Sequence, residues 1–339
     1  MGCSARRISA KQFVKQRQTV SGVALLTALG LLFIFSMLGV AYVGYSTNTL
    51  DRSQYDARLV RSRHVARGGI EAAIGKIQSV LPSGNVADVL SAPFEYESPL
   101  YQFDREAPEK FSPATERRWV TKVTVTDESG KVNLNCAPPR VLQAILGVDG
   151  DTARKIRSSL PLPEGAAAAA GQSWLTSMDD LVTRGLMSPA AYDAVPKHLV
   201  TVYTVADPAR PVEFLNVNAA PPRVLAAILD VTFEAAQQAA QKRPFSSLAD
   251  LSAAAGKDPM TFNIKPASDA PGALPRELSL RSRCFRIESQ AELMVRMADG
   301  SEESTLGSRA EAVVVFGEGG AVQITYSSEA PQREGAGKA

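Results

Sequence analysis

Histidine and cysteine are scarce in this chain: its 339 residues contain two of the first and three of the second. His64 falls in a long helical stretch and His198 just ahead of a short extended one, and neither belongs to a pair with metal-ligand spacing. A nucleophile elbow, a phosphate-cradling loop and a dinucleotide glycine pattern are all missing. These gaps remove the common signatures of catalysis and predict a chain that is not an enzyme. Cys3 lies in a basic N-terminal segment, so Cys136 and Cys284 are the thiols of the main body. In an oxidising compartment they pair or stay as two separate buried thiols, and their sequence separation leaves both open.

Charge is missing in two places. The first 22 residues hold no acid, only Arg6, Arg7, Lys11, Lys15 and Arg17, and Val23 to Val43 hold no charged residue at all. Twenty-one residues at the helical rise span about 32 Å, enough to cross a bilayer core. The basic flank is then cytoplasmic and everything after Tyr45 lies on the far side. An uncleaved signal-anchor is the plainest use of such a run. A cleaved secretory signal fits poorly, because the run exceeds the usual length of about 7 to 15 residues and no small-x-small site closes it. A myristoyl anchor fails where Arg6 stands in place of Ser or Thr.

A further use is a leader cut at the start of the run. Gly22-Val23-Ala24-Leu25-Leu26 resembles the cleavage site of type IV pilins and type II secretion pseudopilins. The resemblance implies cutting after Gly22 by prepilin peptidase, methylation of the Val23 amine and retention of the apolar helix. Most such subunits carry Glu at the fifth mature position, which here is Thr27. In the family that carboxylate offsets the N-terminal ammonium of the preceding subunit in an apolar fibre core. A chain without it fits the start of a fibre. Thr27 is equally an ordinary membrane residue whose hydroxyl bonds back to its own helix.

Without the leader, 317 residues remain, enough for a large core or two domains. The formal charge changes sign: five leader cations taken from 37 leave 32 Lys and Arg against 35 Asp and Glu, near −3. A basic nucleic-acid-binding face is therefore not expected. Past the membrane run, Leu59, Ala66, Ile70, Ala73, Ile74, Ile77 and Leu81 form one helical stripe opposite Arg58, Arg61, Arg63, Arg67 and Lys76. Asp56 and Glu71 read as part of a solvated face. One helix over about residues 22–81 is expected, with two helices joined near Ser46 to Asn48 as the alternative. Gly68 and Gly69 weaken it by about 1 kcal/mol each. Residues 83–117 read as loop with short extended pieces. Trp119 to Thr126 alternates as a strand ended by the turn Asp127-Glu128-Ser129-Gly130.

An internal repeat follows. Lys131 to Val148 matches Phe214 to Val231 at a constant offset of 83 residues, through Asn-x-Asn, Pro-Pro-Arg-Val-Leu and Ala-Ile-Leu. Asn133 and Asn135, and Asn216 and Asn218, stand where they can cap the coming helices, with prolines in the first turn. After an Ala/Gly-rich insertion over 165–171, Trp174 to Leu181 closes the first copy and Pro244 to Leu251 the second. The copies span 131–181 and 214–251 and read as two helix-hairpin-helix units. Such hairpins often bind DNA phosphate through a Gly-x-Gly nest. Here they read Gly147-Val148-Asp149 and Asp230-Val231-Thr232, so a structural or protein-contact role is favoured and no nucleic acid is expected. Asp149 and Asp151 are the weak candidates for a metal, with no ligand loop of calcium spacing. Residues 252–280 read as linker. Three strands follow, Cys284 to Val295, Ala310 to Phe316 and Ala321 to Tyr326, and then a disordered tail over 327–339.

Taken in order, the strand, the Asp-Glu-Ser-Gly turn, the Asn-x-Asn repeats, Met178-Asp-Asp-Leu181 with Gly185-Leu186-Met187, and His198 to Tyr203 before Leu215 to Pro221 resemble the minor pseudopilin K family of type II secretion systems (general secretion pathway protein K). The likeness covers Gly22 to about Tyr326 and departs from the family where Cys136 and Ala219 replace Thr. It implies an α+β fold with a long N-terminal transmembrane helix and an antiparallel pilin-like sheet. An inserted all-α domain carries the two repeats. The segments are a leader (1–22), a transmembrane helix (23–43), the first part of the pilin-like domain (44–132), the insert (133–270), the C-terminal strands (281–326) and the tail. It further implies a tip position, initiation of pseudopilus assembly, and support of export across the outer membrane. Implied partners are minor pseudopilins of types I and J, other pseudopilins and the inner-membrane secretion platform, and family members are thought to bind calcium. The chain would cross the inner membrane once, its C-terminal domain periplasmic. The competing function is a membrane-tethered DNA-binding protein of a competence or pilus system, and the blander one an uncleaved anchored scaffold.

Overall fold

The computed structural model describes residues 10–81, 93–97, 116–161, 172–203, 215–262, 278–296, 300–317 and 321–332. The chain divides into two units, residues 1–60 and 61–339. Helix α1, Ala10–Val80, runs without interruption, so the two-helix alternative does not hold. It also begins twelve residues ahead of Gly22, because Ala10 to Ser21 contains neither glycine nor proline to stop it. In the first unit the apolar side chains from Val23 to Tyr45 lie open, with Leu26 71% and Val40 73% exposed. Among the described residues this is the one helix long and apolar enough to cross a membrane.

The second unit is α+β. A five-stranded antiparallel sheet has the order β1-β2-β7-β8-β9, with β1 Phe94–Glu97, β2 Glu116–Asp127, β7 Cys284–Arg296, β8 Glu302–Phe316 and β9 Val322–Gln332. Strands β2 and β7 pair along twelve residues, from Glu116 opposite Arg296 to Asp127 opposite Phe285. Alternation along these strands puts Trp119, Val123, Phe285, Ile287, Ala312 and Val314 on one face. There they pack against Val65, Ala66, Ile70, Ala73, Ile74 and Ile77 of α1. Gly69 is the point of closest approach. A Cβ built on it would stand 2.3 Å from the Ser289 hydroxyl and 2.6 Å from Thr121 Cγ2. A residue that weakens the isolated helix thus lets it seat on the sheet.

Between β2 and β7 the chain builds a second, separate core, reaching from Val132 to Leu278. It contains β3 Val132–Asn133, α2 Pro139–Leu146, α3 Gly150–Ser158, α4 Asp180–Thr183, α5 Pro189–Asp193 and β4 Val200–Thr201. The second copy supplies β5 Leu215–Asn216, α6 Pro222–Leu229, α7 Phe233–Gln241, α8 Leu248–Ala255 and β6 Leu278–Ser279.

Several expectations change. The insert is mainly helical but also holds two short parallel pairs, β3 with β4 and β5 with β6, so each copy is closed by a strand returning beside its first. The linker expected over 252–280 includes the end of α8 and all of β6. The tail expected to be disordered from residue 327 continues β9 to Gln332, its backbone paired with β8 as far as Gly307 opposite Gln332. Residues 1–9, most of the loop expected over 83–117, the Ala/Gly-rich insertion and residues 333–339 lie outside the described residues.

Gly69→Ala should lower the unfolding free energy of the detergent-solubilised chain by about 1–3 kcal/mol, the usual cost of overpacking. Urea titration followed by Trp119 fluorescence measures it, and an unchanged midpoint would contradict the seating of α1.

Candidate functional site

The duplicated cap is built on two asparagine pins. In the first copy the Asn135 amide donates to the carbonyls of Leu175 (3.0 Å) and Val202 (2.7 Å), and its oxygen accepts from the Leu175 N–H (2.7 Å). In the second, Asn218 donates to Phe245 (3.0 Å) and Leu280 (3.1 Å) and accepts from the Phe245 N–H (2.8 Å). Asn133 and Asn216 each accept from the N–H two residues on, at 3.0 and 2.9 Å, making the turn that aims the second asparagine inward. The helix-capping role expected for these four residues is not what they do. The N-cap positions are Pro138 and Pro221, without side-chain caps. The asparagines instead satisfy backbone groups of the loop after the second helix and of the chain beside the closing strand. Arg157 reinforces the same turn by donating to the Asn135 carbonyl (2.7 Å), and Arg243 donates to Ala220 in the other copy.

The hairpins are occupied by their own side chains. Asp149 is the N-cap of α3 and accepts from the Asp151 N–H (2.9 Å), the Thr152 N–H (2.8 Å) and the Thr152 hydroxyl (2.8 Å). Those bonds from Thr152 hold its carboxyl below the usual aspartate range. Asp151 pairs with Arg154 on the surface. Thr232 caps α7 by accepting from the Ala235 N–H (3.3 Å). The two metal candidates therefore serve a helix start and a surface ion pair. Among the described residues no three His, Cys, Asp or Glu side chains gather as metal ligands would. Cys136 and Cys284 are not joined by a disulfide, and Cys136 is buried in the first Asn-x-Asn turn.

The turn expected at Asp127 to Gly130 proves to be the junction where the cap leaves and rejoins the sheet, a contact with Arg283, Cys284 and Arg286 that residue types alone do not announce. The Glu128 N–H donates to the Cys284 carbonyl (2.9 Å), and the Ser129 hydroxyl accepts from the N–H groups of Arg283 (3.1 Å) and Cys284 (2.9 Å). The Glu128 side chain is fully buried and takes Lys131 (2.5 Å) and Arg286 (2.8 Å) on one oxygen. Arg286 also meets Glu311 and lies over the Tyr203 ring, which in turn packs on Tyr326 of β9. Asp127 accepts from the Ser129 N–H (2.8 Å) and from the Ser282 hydroxyl, and Ser282 accepts from the Asn216 amide (2.7 Å). The second copy touches the turn directly, through the Asn216 N–H on the Ser129 carbonyl (2.7 Å) and through Ala219, whose carbonyl oxygen would stand 2.7 Å from a Cβ on Gly130. Sheet and both copies thus meet at Asp127 to Gly130.

Burial alone would raise the Glu128 carboxyl, but Lys131 and Arg286 outweigh it and hold it low. Burial raises Asp127 despite its bonds from Ser282 and Ser129, and it pushes the Cys284 thiol well up.

In the first unit, Gly22 and Val23 lie in the body of α1, and the Thr27 hydroxyl donates to the Ala24 carbonyl (2.9 Å).

No protein-family model and no curated protein matches the chain. Among solved structures it is similar to a chain in the crystal structure of the GspK-GspI-GspJ complex of the type 2 secretion system from enterotoxigenic Escherichia coli. The identity is 14% and the TM-score 0.49, over 82% of this chain and 99% of that one.

Asn135→Ala and Asn218→Ala each strand buried backbone groups and should each cost about 2–4 kcal/mol, whereas Asn→Ala at a mere helix cap costs about 1 kcal/mol. Denaturant titration distinguishes the two.

Glu128→Gln should cost about 3 kcal/mol near neutrality by breaking a buried ion pair. It should also flatten the acid limb of the stability profile. Below the ordinary glutamate value of 4.5 the unfolded chain binds this proton and the folded chain resists it, so wild-type stability falls with pH there. Asp127, shifted the other way, opposes that fall. An unaltered acid limb in the variant would contradict the assignment.

Proposed function

We propose that the chain is a non-enzymatic minor pseudopilin of the K type, held in a bacterial inner membrane by Val23 to Val43 and joining the tip of a type II secretion pseudopilus. The observation that carries this reading is the pairing of β2 with β7, which closes one sheet around a duplicated insert while the opposite end of the chain supplies an exposed apolar helix. A sheet packed on the C-terminal half of a helix whose N-terminal half is greasy suits a subunit that assembles through helices.

In this mechanism prepilin peptidase cuts between Gly22 and Val23 on the cytoplasmic face, and the freed Val23 amine is methylated. The helix then packs beside those of type I and J minor pseudopilins, other pseudopilins and the inner-membrane secretion platform. Thr27 brings no carboxylate to offset the ammonium of a preceding subunit, and its hydroxyl is already bonded to Ala24. A chain so equipped starts a fibre more readily than it extends one. The cap adds a second core to the sheet domain, bulk that an end position accommodates and a continuous fibre surface does not. A role in initiating assembly and supporting export across the outer membrane follows, with the cap on the periplasmic side.

Edman sequencing of the protein extracted from membranes of cells that contain prepilin peptidase should start at Val23, and Gly22→Asp should start at Met1. A wild-type start at Met1 would overturn the pseudopilin reading in favour of an uncleaved anchor. Co-purification with type I and J pseudopilins should depend on the cleaved form.

A further inference from the structure

Helices α2 and α6, the first helices of the two copies, pack side by side and leave an open groove of about 820 Å³ between their outer faces. Each helix has eight residues, so the groove is about 12 Å long. Arg140 and Arg223 occupy equivalent positions of the repeat and both line it, together with Ala144, Ala226, Ala227 and Phe233. Both arginines are exposed, and among the described residues neither has a carboxylate within ion-pair distance. Asp230 also lines the groove, where Lys257 binds its carboxylate at 2.9 Å and Arg140 attracts it more weakly. Arg140, Arg223 and Lys257 against this one carboxylate leave the groove net positive. Phe233 is 50% exposed beside them, although it is the first residue of α7 and could have been polar without cost to the core.

We infer that this groove is a docking surface for an acidic, amphipathic segment of a partner protein. Carboxylates of the segment would take Arg140 and Arg223, and an apolar side chain would cover Phe233 and the alanines. Charge complementarity selects that occupant: exposed guanidiniums bind planar carboxylates in two-point contacts, and an aromatic beside small residues offers an anchor site. A nucleic acid is the poorer fit, since the α3 amides that would grip a phosphate are held by Asp149, and the Thr232 hydroxyl caps α7. The inference does not depend on where the chain sits in a fibre.

The test uses the full chain in detergent and a short fluorescent peptide alternating Glu with Leu and Ala, read by anisotropy. The same peptide with Gln for Glu and a labelled DNA duplex are the comparison probes. The Glu peptide should bind, weaken as salt rises, and lose about tenfold in affinity to Arg140→Glu with Arg223→Glu, the scale of losing two peripheral charge pairs. The double Lys variant, which keeps charge but not the planar fork, should lie between. Phe233→Ser should weaken binding severalfold without altering its salt dependence. Equal binding of the Gln peptide, indifference to both double arginine variants, or tighter binding of DNA than of the Glu peptide would overturn the proposal. N-terminal processing is unaffected by any of these outcomes, so failure here is distinct from failure of the pseudopilin reading.

Discussion

The constraint on which the second unit depends is that its buried polar groups must be satisfied where one core hands over to the other. At Asp127 to Gly130 the chain leaves the sheet, and at Ser282 to Cys284 it returns. Backbone amides on both sides would be orphaned if the two crossings drifted apart, and a buried orphan costs about 1–3 kcal/mol. Ser129 takes the amides of Arg283 and Cys284 on one hydroxyl, while Glu128 holds Lys131 and Arg286. The ion pair is a weak contributor in itself, because both charges have lost water. Its effect is positional. With Arg286 drawn onto Tyr203 and Glu311, this end of the sheet is tied to the first copy of the cap.

Duplication solves the cap's own problem twice in the same way. A pair of short helices cannot bury enough surface alone, and the loop after it has backbone groups to satisfy. Asn135 and Asn218 supply donor and acceptor together, which is why an amide serves there and a carboxylate would not. The closing phrases align at an offset of 70 instead of 83, since Leu175 answers to Phe245, so the first copy carries extra residues before its loop without disturbing the pin. Asp180 and Asp250 then bind the amides of Thr176 and Ser246 in parallel fashion.

Much of this was legible in the residues. Period-two alternation in Trp119 to Thr126 and in the C-terminal strands gave the sheet, and the stripe Ala66, Ile70, Ala73, Ile77 gave the face of α1 that packs on it. The repeat announced the cap. Local chemistry misled where a residue has two possible partners: the asparagines before Pro-Pro look like helix caps, yet their partners lie up to 70 residues away in sequence. The parallel pairs closing each copy are two residues long, too short for any periodicity. Ser327 to Gln332 looked like a tail because edge strands are polar by composition. Glu128 and Arg286 were invisible as a pair because only the register of β2 on β7 brings them together.

The seam between α1 and the sheet adds a last step. Apolar packing alone fixes a helix on a sheet poorly along its axis, because one methyl group is much like the next. Here Ser62 and Ser308 share a buried hydrogen bond of 2.5 Å, and Gly69 seats over Ser289 and Thr121, whose hydroxyls are buried without other partners. Shifting the helix by one turn would break the serine bond and drive a larger side chain into the notch. A polar contact and a missing Cβ therefore set the axial position that the apolar stripe leaves free.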